Sequence, residues 1–201
     1  MPVNENVWKE DNLIKVLKEN GVVVMPTDTI YGVVGRAENE KVVNRVYAIR
    51  QRSPQKPCII LIGDIGELQK FSVALSEKQK IELSKYWSFD FAQDYQSFKP
   101  GPVSVVLDCL NNSLEYLHRG TQTLAFRIPG PQALRNLLLK TGPLIAPSAN
   151  KENYPPNYNI ASAKKHFGDL VDLYVDVGEE RGKASRLIRL HHDGSVDILR
   201  E

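Results

Sequence analysis

Polar side chains collect at the ends of apolar runs in four places along this chain of 201 residues. Behind the apolar Val22–Met25, Pro26 stops the pattern, and Thr27, Asp28, Thr29 and Tyr31 follow in one short stretch. Farther on, "RQRSPQKP" (50–57) carries Arg50, Arg52 and Lys56. Arg127 follows the apolar Leu124–Phe126, and Ser148 and Asn150 follow a short apolar run in "APSANKENYPP". Guanidinium forks beside neutral hydroxyl and amide donors suit a polyanion such as a nucleotide triphosphate. Each stretch also has a plainer reading. Cations at a helix C-terminus complement its dipole or face solvent. Arg127 can stand on the exposed face of a strand, Ser-Ala-Asn can be a turn, and the threonines can bond nearby backbone. Their common placement favours a site, because strand ends on one edge of an α/β sheet converge on one crevice.

Other chemistries lack their residues. There is no GxxxxGK loop, no GxGxxG, no HExxH helix, and no carboxylate pair or Ser-His-Asp order that stands out. His191 and His192 flank an Asp-Gly turn and read as surface residues. Cys58 and Cys109 lie in separate apolar runs, so they read as core thiols rather than a disulfide or zinc set. A net charge of +2 does not by itself make a nucleic-acid coat. No apolar run approaches the roughly 18 residues of a membrane span, and "MPVNENVWKEDN" is no signal peptide. A reducing cytoplasm is the expected home. By residues alone, the chain is an anion-binding α/β domain.

The elements that must position these groups alternate in type. Leu13, Ile14 and Leu17 mark a helix over 11–19, with Gly21 as its expected stop. A strand at 22–25 and a helix over 39–50 follow. "CIILI" (58–62) reads as a strand buried on both faces, and Ser76 with Gln79 signs a capping box for a helix through Tyr86. Strands are expected at 103–107 and 123–128. Pro131 opens a helix that Gly142 ends. Then come a short strand at 144–146, a helix at 160–167, a strand at 172–177 and a C-terminal hairpin turning at Asp193-Gly194. With no repeat and no linker, the expectation is one α/β domain over 1–201 built on an open, twisted mixed sheet. The stretch "SFDFAQDYQSF" (88–98) has neither period and reads as a surface insertion.

In that order, the four stretches resemble the YrdC-type family of threonylcarbamoyl-AMP synthases. The family's "PT(D/E)T(I/V)YGL" is met by Pro26–Val33, its "KxR" by Arg50–Arg52, its "PGPxT" by "PGPVS", its "VxxRxP" by "LAFRIP", and its "SAN" by Ser148–Asn150. The resemblance implies flanking helices around a deep basic cavity. It also implies a nucleotidyltransferase reaction in which L-threonine, bicarbonate and ATP give threonylcarbamoyl-AMP and pyrophosphate. By motif position, Thr29, Arg127, Ala146 and Ser185 would bind threonine. Arg50, Arg52, Lys56, Thr123, Ser148, Asn150 and Arg200 would bind ATP, with Thr27 and Tyr31 as further candidates. No protein nucleophile is implied. Magnesium would ride on the phosphates, with no protein ligand to name. The product would serve partner proteins that modify a tRNA adenosine, so contact with tRNA would be indirect. The chain's end at Glu201 predicts the short, single-domain type.

Departures stand beside the matches. Arg50 replaces the usual lysine, and "KENYPPNY" replaces "xSGxPSPT", putting Pro156 at a serine position. Arg186 and Arg189 stand where "PSTIVD" has Thr and Asp. Two alternatives therefore stay open: an RNA-binding module of the same fold, and a paralogue that binds nucleotide without turnover.

Overall fold

The computed structural model describes residues 4–87 and 102–201. The 88–98 stretch lies outside them. Nine strands form one sheet in the order β7-β1-β2-β6-β3-β5-β4-β8-β9. The strands are β1 (Val23–Pro26), β2 (Tyr31–Arg36), β3 (Ile59–Leu61), β4 (Val103–Asp108), β5 (Thr123–Arg127), β6 (Leu144–Ile145), β7 (Leu173–Tyr174), β8 (Arg186–Leu190) and β9 (Val196–Arg200). The β1/β7, β3/β5 and β4/β8 pairs are parallel and the others antiparallel. The sheet is mixed and open, as expected. No helix among the described residues is long and apolar enough to cross a membrane.

Alternate strand residues point to opposite faces, and helices cover both faces of β1 and β2. Val22, Val24, Tyr31 and Val33 join a core with α2 (Glu40–Arg50) and α6 (Ile160–Phe167). Val23, Met25 and Val34 join a second core with Trp8, α1 (Asp11–Lys18) and α5 (Gln132–Thr141). That double cover is why every residue of β1 is buried. Ser76 and Gln79 form the expected capping box on α3 (Glu77–Leu83), although the helix stops short of Tyr86. The short α4 (Glu115–His118) was not expected from the sequence. Both cysteines are free and buried.

Two local expectations are corrected. Asn20, not Gly21, takes the left-handed position after α1, at φ 66°; Gly21 is needed because a Cβ there would lie 2.5 Å from Val16 Cγ1. And "PTDTIY" is not simply a strand end. It is the tip of a hairpin whose second strand, β2, carries Gly32 and Gly35. Glycine disfavours strands, but a Cβ on Gly35 would stand 2.4 Å from Val42 Cγ1 on α2. The close approach of that helix requires it.

Candidate functional site

Beyond the hairpin tip lies a cavity of about 290 Å³. Arg127, at the end of β5, lines it and is almost wholly buried. An unpaired guanidinium there would be very costly, and Asp28 supplies the partner: Oδ1 accepts from Arg127 Nη2 at 2.8 Å, with each side chain 4% exposed. The same Nη2 donates to Thr29 Oγ1 at 3.3 Å. Two buried atoms of this pair, Arg127 Nε and Asp28 Oδ2, have no hydrogen-bond partner among the described residues. Thr29 lines the cavity. Thr27 also lines it, but its hydroxyl serves the turn by donating to the Ile30 carbonyl at 2.7 Å. Tyr31 forms wall as well, yet its hydroxyl donates to Gly178 O and accepts from Val177 N, each at 3.0 Å. Burial pushes that phenol up.

The Ser-Ala-Asn segment continues beside β2: Val33 N donates to Pro147 O and Ala149 N to Tyr31 O. Ala146 and Ser148 thereby enter the lining. On the other side, Ser185 Oγ lies 2.8 Å from Ser104 Oγ, both residues buried. Arg200 reaches in from β9 and donates Nε and Nη2 to Ser185 O at 3.1 and 2.8 Å. Its pKa is pulled down by burial and then by the charge of Arg127, so the two guanidiniums feel each other across the site. Arg52 lines the opposite wall, held by bonds to Lys56 O and Pro57 O at 3.0 and 2.9 Å. The left-handed Gln51 (φ 52°) turns the chain there, just past α2.

Residues 176–185 form a strap against the hairpin tip that ends in the lining at Ala184 and Ser185. Glu180 N donates to Tyr158 O at 2.7 Å. A Cβ on Gly182 would meet Thr29 O at 1.6 Å. Only glycine lets the strap lie on the hairpin tip.

Four of the residues expected at the site are not in the lining. Arg50 is buried beneath it, donating Nε to Asn150 O at 2.9 Å and Nη2 to Ser148 Oγ at 3.2 Å. Burial and then Arg52 push its pKa down to about 10, so it stays charged at neutral pH, while its Nη1 lacks a hydrogen-bond partner among the described residues. Asn150 braces its own loop, donating to Lys151 O and Tyr154 O at 2.8 and 2.7 Å. Lys56 is paired with Glu152 at 2.5 Å. Thr123 starts β5, about 13 Å from Arg127 along the same face, and its hydroxyl meets that of Thr121 at 3.1 Å. Of the departures, Pro156 lines the cavity. Arg186 pairs with Glu201 and Arg189 with Asp108.

The sequence did not single out Ser104, Glu152 or Gly182, and it listed Asp28 without a role. A signal existed for Asp28: a buried arginine needs an anion, and this acid stood in the polar stretch. The lining thus holds Arg52, Arg127 and Arg200 with hydroxyls from Thr29, Ser148 and Ser185, and among the described residues only Arg127 is neutralised by a buried carboxylate. Such a set binds anions and small hydroxyl-bearing molecules and stabilises negative charge that develops on them.

Comparisons with known proteins agree in kind. The Sua5/YciO/YrdC family model, described as "Telomere recombination", matches residues 15–201. The threonylcarbamoyl-AMP synthase of Bacillus subtilis is 31% identical over 142 residues, covering 70% of this chain and 38% of that protein. The enzyme of the same name from Idiomarina loihiensis is 24% identical over 186 residues, covering 91% of this chain and 92% of that protein. The crystal structure of P. abyssi Sua5 complexed with L-threonine superposes with a TM-score of 0.74 at 25% identity, covering 92% of this chain and 51% of that one. The chain therefore spans about half or less of the B. subtilis and P. abyssi proteins.

Proposed function

The chain belongs to the Sua5/YciO/YrdC family, and on that footing we propose that it is an L-threonylcarbamoyladenylate synthase. The observation that carries this reading is the shared lining. Thr29 and Arg127, suited to a hydroxy amino acid, open onto the same 290 Å³ space as Arg52, Ser148 and Arg200, suited to phosphates. The reaction asks little else of the protein. Threonine's amine and bicarbonate condense to a carbamate, a carbamate oxygen attacks the α-phosphorus of ATP, and pyrophosphate leaves. No side-chain nucleophile takes part. The protein's contribution is to gather the reactants, neutralise phosphate charge and keep water from a labile carbamate.

In this reading Arg127, fixed by Asp28, holds the threonine carboxylate, while Thr29 and Ser185 face its polar atoms beside Ala146. Arg52, Lys56, Ser148 and Arg200 meet the nucleotide. Arg50 and Asn150 act from beneath by bracing the Ser148 turn, and Thr123 stands at the outer reach of the same face. Magnesium would arrive on the triphosphate. Among the described residues no three His, Cys, Asp or Glu side chains gather to hold a metal, so the chain's own fit to it is through phosphate. Transfer to tRNA would fall to partner proteins.

Pyrophosphate release tests the reading. It should require ATP, magnesium, bicarbonate and L-threonine together, with valine nearly inactive, because a site that bonds a substrate hydroxyl discriminates strongly against its absence. Equal release with valine would overturn the threonine assignment, and no release with threonine would favour the non-catalytic binder, a reading that Pro156 in the lining supports.

A further inference from the structure

Glu152, outside the lining itself, is an acid on the loop between Ser148 and Pro156, both of which line the cavity. Its side chain, 16% exposed, bridges two donors of the basic loop. Oε1 accepts from Lys56 Nζ at 2.5 Å, and Oε2 accepts from the Ser53 N–H. Its own N–H donates to Arg50 O at 2.9 Å, so the carboxylate is presented by a loop already fixed to the end of α2. Lys56 and then the Ser53 N–H hold its pKa below the ordinary carboxylate value. It is therefore an anion at neutral pH.

An ammonium and a loop N–H converging on two oxygens of one carboxylate form an arrangement that a phosphate group could equally occupy. Arg52, one residue before Ser53, lines the cavity beside them. Arg50 Nη1, buried and without a hydrogen-bond partner among the described residues, stands beneath, its charge felt by Glu152.

We propose that Glu152 is a tethered competitor for polyphosphate: it fills an anion cradle made by Lys56 and the Ser53 N–H, and a bound phosphate must take that cradle from it. The proposal rests on the nucleotide reading above and deepens it by naming a residue that sets phosphate affinity. The Lys56–Glu152 pair is partly open to water, where ion pairs contribute little to stability. Its main effect is thus on the guest rather than on the fold.

Calorimetric titration of inorganic tripolyphosphate into the wild-type protein, Glu152→Gln, Lys56→Gln and the double variant tests this. Glu152→Gln should bind about three- to fivefold tighter, the scale of one exposed ion pair, and the gain should vanish when Lys56 is also changed. Unchanged or weaker binding by Glu152→Gln overturns the proposal, as does a gain that survives without Lys56 or a failure of every variant to bind. Glu152→Ser replaces the glutamine variant should that one misfold. The outcomes separate the two readings. Tighter tripolyphosphate binding without threonine-dependent pyrophosphate release would keep the cradle and sink the synthase. Release with unaltered affinity would do the reverse.

Discussion

Replacing Asp28 with alanine should be among the most damaging single changes outside the hydrophobic core. The carboxylate and the Arg127 guanidinium are each 4% exposed and 2.8 Å apart. At an effective dielectric near 20, their attraction is on the order of 5 kcal/mol. Most of it offsets the cost of taking both charges from water, but truncating one partner leaves the other charge buried alone, which costs about 3–5 kcal/mol. Arg127 is poorly placed to recover, since among the described residues its Nε already lacks a partner and only Thr29 would remain on Nη2. For a chain of this length that loss corresponds to a fall in Tm of roughly 6–20 °C. Denaturant unfolding of the wild-type protein, Asp28→Ala, Arg127→Met and the double variant measures it, with the double variant closer to wild type than the sum of the singles. Formate should restore part of the loss in Asp28→Ala by taking the vacated place. A loss under about 1 kcal/mol, the scale of a solvated pair, would refute the argument and mean that water reaches the floor of the cavity.

Gly182→Ala should lift the strap, because its Cβ would fall 1.6 Å from Thr29 O; we expect threonine-induced thermal stabilisation to shrink more than that induced by ATP, and equal losses would contradict the contact. Asp172 joins three elements by accepting from Val22 N at 2.6 Å and from both Arg45 Nη atoms at 2.6 and 3.0 Å. Arg45 and then the Val22 N–H hold its pKa below the usual value. The stability it contributes is present above the unfolded-state pKa of about 3.9 and is lost as pH falls through the lower folded value. Asp172→Asn should therefore lower Tm by a few degrees at pH 7, for about 1 kcal/mol of half-exposed bonding, and the gap should close below about pH 4; a gap that persists in acid would assign the effect to packing.

Sequence patterning identified most strands and helices because burial on both faces leaves unbroken apolar runs, as in Val22–Met25. It missed β2, where Gly32 and Gly35 dilute the apolar signal to let α2 and the Ser148 turn approach. For the site, motif order named Thr29, Arg52, Arg127, Ser148, Ser185 and Arg200, and the fold brings these six into one lining. What it could not convey is which donors the fold already uses. Arg50 spends its Nε and Nη2 on the Ser148–Asn150 turn, and Tyr31 spends its hydroxyl on the strap. Those choices depend on partners about a hundred or more residues away, beyond any local period.

That remoteness also sets a schedule for synthesis. The turn at the hairpin tip bonds within itself, but the cavity above it is completed by Gly178 against Tyr31, Gly182 against Thr29 and Ser185 against Ser104. Contacts that span so much chain form late, because loop closure must precede them. A ribosome-bound chain lacking residues 176–200 has neither strap nor Arg200, and it also lacks β8 and β9 with the core residues Ile188 and Leu190. Substrate binding would then begin only once that last stretch has been made and docked, so ligand capture would report completed folding rather than help to start it.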